Sequence, residues 1–135
     1  MRILIVIILL LLVAPGCNKE KQPLIPYVYV SLQLYPDTMD YINVNGYKYV
    51  NGGYRGIVVF RISHEEFMVY ERCCPYDPEK TGARITVDPS SITCTDSLCM
   101  SQFILTDGSP YKGPSPYTLM KYHWNYDGEV LQIFN

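Results

Sequence analysis

Four cysteines in the second half of the chain hold its main chemical potential. They are the vicinal Cys73 and Cys74, and Cys94 and Cys99 within TCTDSLCMSQF, residues 93 to 103. Thiolates ligate soft metals or pair as disulfides, and compartment decides between these as much as spacing does. Consecutive strand residues point to opposite faces, so Cys73 and Cys74 are not expected on one metal, and a bond between them would be strained. Other clusters offer less. Ser63, His64 and Glu65 are adjacent and cannot form a relay, so they read as a polar turn. Asp37, Asp40, Glu65 and Glu66 lack the alternation of a calcium loop. GYRG and DGSPYKG lack the glycine order and the following helix that cradle phosphate.

The N-terminus sets the compartment. Met1 and Arg2 precede an unbroken apolar run from Ile3 to Val13, then Ala14-Pro15-Gly16-Cys17 and the hydrophilic NKEKQ. This is the pattern of a signal peptide, with an apolar stretch too short to span a bilayer. Its end resembles the lipobox of bacterial lipoproteins, which implies that residues 1–16 are removed and that Cys17 is the lipid attachment site. Residues 17–26 then read as a lipidated tether, about 30 Å long if its part beyond Cys17 is extended. The expected location is the bacterial cell envelope, anchored to a membrane on the periplasmic side or at the outer membrane. Loss of Arg2 takes the net charge from −2 to about −3. No basic stripe exists, so nucleic acid is excluded as a partner.

Residues 27–135 are one domain's worth of chain. Periodicity of two dominates, and no long run has apolar residues at helical spacing. YVYVSLQLY (27 to 35) predicts a half-buried strand, and INVNGYKYV predicts a hairpin around Asn45-Gly46 that Gly52-Gly53 ends. GIVVFRI (56 to 62) and EFMVYERC (66 to 73) predict a strand pair about Ser63-His64-Glu65, and MKYHWNYDGEVLQIF predicts a closing hairpin about Asp127-Gly128. Ten prolines and nine glycines punctuate these runs. The expected fold is all-β: a small antiparallel sandwich or partly open barrel. Thirteen tyrosines are the compositional oddity. Alternation places Tyr27, Tyr29, Tyr47 and Tyr49 on shared sheet faces, either as cross-strand packing or as a contact surface for a protein or glycan.

Residues 73–117 carry the one specific resemblance. A strand running into Cys74-Pro75 is followed some twenty residues on by a cysteine-bearing loop before Ser101-Gln102-Phe103. Then comes Gly108-x-x-x-x-Gly113-Pro114-x-Pro116. This order resembles a Rieske-type domain, in which two loops at the tip of a β-subdomain each offer one Cys and one His to a [2Fe-2S] cluster. The resemblance implies a two-loop tip with Ser101 and Phe103 supporting it. Residue by residue, Cys74 matches the first cysteine and Tyr76 stands where the first histidine belongs. Cys99 takes the second histidine's place, Met100 that of a glycine, and Asp96 that of the second cysteine, unless a longer loop gives that role to Cys94. His64 and His123, the only histidines, lie outside both boxes. Any cluster here would therefore be thiolate in character, without the imidazoles that raise a Rieske potential.

If the loops approach as in that family, Cys73 and Cys74 could each reach Cys94 or Cys99. Such a bond would close a loop of roughly 20 to 27 residues, contributing about 3 kcal/mol. In an oxidising envelope the expectation is one or two disulfides among Cys73, Cys74, Cys94 and Cys99, with no cofactor. The alternative is a [2Fe-2S] or zinc centre on Cys74, Cys94, Cys99 and Cys73. The corresponding functions are a lipid-anchored, non-catalytic binding or assembly module and, alternatively, an electron-transfer protein.

Overall fold

A computed structural model describes residues 21–135; Cys17 and the expected signal peptide lie outside the described residues. Ten short strands build three antiparallel sheets. In chain order they are β1 (Ser31–Leu34), β2 (Tyr47–Val50), β3 (Ile57–Arg61), β4 (Phe67–Glu71), β5 (Ile85–Val87), β6 (Thr93–Asp96), β7 (Gln102–Ile104), β8 (Pro110–Lys112), β9 (His123–Tyr126) and β10 (Leu131–Phe134). The sheets run β1-β10-β9, β2-β3-β4 and β5-β6-β7-β8, and none closes into a barrel. Among the described residues no helix is long and apolar enough to cross a membrane.

The middle sheet has a hydrophobic cluster on each face, which explains why β3 reads IVVF without alternation. Ile57 and Val59 of β3, with Phe67 and Val69 of β4, join Leu131 and Ile133 of β10 in one cluster. Val58 and Phe60, with Tyr70, join Ile85, Cys94 and Phe103 in the other. Side chains alternate between faces, so a strand buried on both must be apolar at every position. The second cluster underlies the tip and fixes the four-stranded sheet to β3 and β4.

Several sequence expectations hold and others shift. The β3–β4 and β9–β10 pairs form around the expected turns. Asn45 does adopt a left-handed φ of 61°, and the Gly46 N–H donates to Asn43 O at 2.8 Å. No strand precedes that turn, however: Arg61 N–H donates to Gly46 O and Asn45 N–H to Arg61 O, docking it on the end of β3. The hairpin is instead β2–β3, closed through Gly52, Gly53 and Gly56, all at positive φ. A Cβ at Gly53 would collide with the Glu71 carboxylate and the Tyr122 hydroxyl. The first strand is also shorter than expected. Upstream of Ser31 the Asn135 amide takes over, donating to Val28 O and accepting from Val30 N–H. Ile25 is buried and Pro23 lines clefts beside Tyr76, so the described end of the expected tether lies against the domain.

Candidate functional site

The first loop leaves β4 through an extended segment that bridges to β5. Cys73 pairs with Arg84, Cys74 N–H donates to Ala83 O at 3.2 Å, and Ile85 N–H donates to Arg72 O at 2.8 Å. Beneath this bridge the fully buried Glu71 carboxylate accepts from Tyr54, Arg55 and Cys73 N–H and from the Tyr122 hydroxyl, at 2.7 to 2.9 Å. Nothing in the sequence singled out Glu71, because its role depends on donors brought in by distant segments.

The vicinal cysteines diverge. Cys73 Sγ lies 3.8 Å from Cys74 O and 3.7 Å from Pro78 O, whereas Cys74 belongs to the cluster under the tip. Burial raises both thiols above their usual range, and for Cys74 the neighbouring Asp96 adds to the effect.

The second loop is the β6–β7 turn. Asp96 N–H donates to Ser101 O at 2.9 Å and Met100 N–H to Asp96 O at 2.8 Å. That closure turns the side chains of Asp96 and Cys99 to one side. Met100 keeps a φ of 61°, the left-handed conformation that glycine adopts freely and other residues adopt under strain. Asp96 is fully buried and its Oδ1 accepts from Leu98 N–H at 3.0 Å.

The two loops meet at sulfur. Cys74 Sγ is 3.6 Å from Cys99 Sγ, and the Cys99 thiol donates to Asp96 Oδ2 at 3.2 Å. Cys99 Sγ is also 3.1 Å from Ser101 Oγ, which accepts from Ser115 N–H at 3.0 Å and so ties in the proline loop. Gly113 permits that approach: a Cβ there would lie 2.6 Å from Ser101 Cα and 2.7 Å from Met100 O. Cys94 is elsewhere. It pairs with Phe103 across the sheet, both side chains are buried in the cluster under the tip, and burial pushes its thiol up to about 12.

Three segments distant in sequence thus converge on one point, in the order the sequence resemblance implies. The structure resembles a chain from the complex of reduced oxygenase and oxidized ferredoxin in carbazole 1,9a-dioxygenase, with a TM-score of 0.53 and 18% identity over 77% of this chain and 93% of that one. It also resembles the ferredoxin of carbazole 1,9a-dioxygenase from Nocardioides aromaticivorans IC177, with a TM-score of 0.50 and 14% identity over 75% and 95%. The domain has a Rieske-like fold. No family model and no curated protein matches the sequence.

A Rieske-like backbone with these side chains does not fit a Rieske cluster. Neither histidine is at the tip: His64 lies in the β3–β4 turn and His123 in β9. Tyr76 and Cys99, which the sequence resemblance sets against the family's two histidines, are both half-buried against the cluster under the tip. Among the described residues the one set of candidate ligands is Cys74, Asp96 and Cys99, whose donor atoms all lie within 4.8 Å of one another. The aspartate that sequence comparison registered only as a mismatch therefore stands with the thiols, while Cys73 and Cys94 stand apart. The expected cross-loop disulfides are not formed, since all four cysteines are free thiols and the nearest two are separated by 3.6 Å. The expectation that no cofactor binds gains no support from a site of this composition.

Proposed function

We propose that this chain is a membrane-anchored envelope protein whose Rieske-like domain acts as a binding or assembly module without a Rieske cluster. The observation that carries this reading is the composition of the tip: Cys74, Asp96 and Cys99 meet there with no histidine beside them, where the resemblance would require two. Two imidazoles on one iron are what define the Rieske centre and set its potential. The outer face of the β1-β10-β9 sheet supports a contact role. Phe134 of β10 stacks on His123 of β9 with ring centroids 5.9 Å apart, and Tyr27 and Tyr29, in the segment before β1, are 71% and 72% exposed. The partner would be a protein or a glycan, and Cys17 would hold the domain at the membrane by its lipid.

Electron transfer is the second reading, favoured by the likeness to ferredoxin chains and by two thiols meeting at the tip. One of those neighbours is a ferredoxin–oxygenase complex, so an oxygenase-type protein would be the partner on this reading. Anaerobic purification separates the two. The module reading predicts colourless protein with no EPR signal after reduction. Brown protein with stoichiometric iron and a reduced-state signal would establish electron transfer instead. Cys17→Ser should move the protein from the membrane to the soluble fraction, and retention on membranes would count against the anchor.

A further inference from the structure

We propose that the tip binds one thiophilic divalent cation, zinc by chemical class, through Cys74 Sγ, Cys99 Sγ and the Asp96 carboxylate. This rests on the reading that no iron–sulfur cluster occupies the tip, and it adds a metal site of a different kind.

The distances suit a single ion. With zinc–sulfur bonds of about 2.3 Å and zinc–oxygen bonds of about 2.0–2.2 Å, a tetrahedron has a sulfur–sulfur edge of about 3.8 Å and a sulfur–oxygen edge of about 3.5 Å. The observed separations are 3.6 Å between Cys74 and Cys99 and 3.2 Å between Cys99 and Asp96. Small outward movements of the ligands would bring them to those edges. A disulfide would instead need the sulfurs to close to about 2.05 Å. Ligands on two bridged irons would be spread over two coordination spheres, whereas these three donor atoms all lie within 4.8 Å of one another.

Charge and support point the same way. Asp96 is fully buried, and no cation is paired with it among the ion pairs of the described residues. Both S–H groups are deprotonated on binding, so a dication offsets the two charges that binding itself creates and gives the buried carboxylate a cation partner. Leu98 N–H holds Oδ1, leaving Oδ2 to face sulfur, and Ser101 Oγ is placed to donate to the Cys99 thiolate. Such outer contacts fix ligand orientation. Two thiolates select soft or borderline ions over calcium and magnesium. Binding converts two S–H groups to thiolates and releases two protons to solvent, with no change of oxidation state. Three protein ligands leave the fourth corner to water or to an added ligand.

The test uses the full chain, purified anaerobically with reductant and stripped of metal. Titration with Zn²⁺ and elemental analysis should give one zinc per chain, and Co²⁺ should give the visible spectrum of a tetrahedral ion with thiolate charge-transfer bands. Asp96→Asn should weaken cobalt binding about tenfold or more, by analogy with the loss of metal-site contacts, and Cys99→Ser should remove most of the charge-transfer intensity. Cobalt binding to the unaltered chain without thiolate bands, or no binding at all, would overturn the proposal even if the variants fail to fold. A Cys74–Cys99 disulfide that reductant opens without creating a metal site would overturn this inference and leave the module reading standing. Iron accompanied by acid-labile sulfide would overturn both.

Discussion

At Met100 the loop keeps a glycine's conformation without a glycine. An L-residue in the left-handed region costs roughly 1–2 kcal/mol, part of which a glycine returns as unfolded-state entropy. Met100→Gly is therefore expected to raise stability by about 0.5–1 kcal/mol, read as a higher urea midpoint at unchanged slope. Glu71 is the opposite case, a buried side chain whose removal orphans four donors. Glu71→Ala should cost at least about 3 kcal/mol, and the same denaturation experiment measures it. Asp37 offers a pH signature. The hydrogen bond from Arg61, aided by that from Tyr126, lowers its pKa from 3.8 to about 2. A carboxyl depressed in the folded state stabilises above its unfolded pKa and loses that contribution as pH falls through the folded one. Stability should therefore drop between about pH 4 and pH 2, and Asp37→Asn should lack that increment in acid-dependent urea titrations. Cys74 and Cys99 were legible from the motif order, but Asp96 was not legible as a ligand. A carboxylate three residues before a cysteine says little until the Met100-to-Asp96 hydrogen bond turns both side chains to one side.

At the scale of elements, runs buried on one or two faces were legible and short tip strands were not. GIVVFRI announced β3 because five consecutive residues are buried. By contrast β5, β7 and β8 have three residues each and mix polar with apolar, too few positions for a period of two to register. INVNGYKYV misled because Asn45-Gly46 satisfies the conformation of a hairpin turn while its partner is the end of β3, a contact no local pattern encodes. The joint between the proline loop and the second loop is testable at Gly113. Its φ of 94° and the closeness of Ser101 both oppose a side chain. Gly113→Ala should cost about 2–4 kcal/mol and, by pushing Ser101 away from Cys99, should also weaken the proposed cation site. A cobalt titration alongside thermal unfolding would show both effects.

For the molecule as a whole, the stacking of three sheets is what brings residues 74 and 99 together, and that placement was implied by the resemblance and not by any local signal. Tyr27 and Tyr29, in the segment before β1, stay exposed, while Tyr49 turns inward, accepting from Val87 N–H at 2.8 Å with the Arg72 guanidinium 3.6 Å from its ring centre. Tyrosine richness thus divides into packing and surface, a division composition could not make. Tyr27→Ala with Tyr29→Ala should leave the unfolding temperature within a few degrees while reducing capture of the module's partner. A large loss of stability would show these rings to be structural. The central claim is that this Rieske-like tip carries no Rieske cluster, and acid-labile sulfide in the anaerobically purified full chain tests it most directly. The account predicts none, and two sulfides per chain would contradict it.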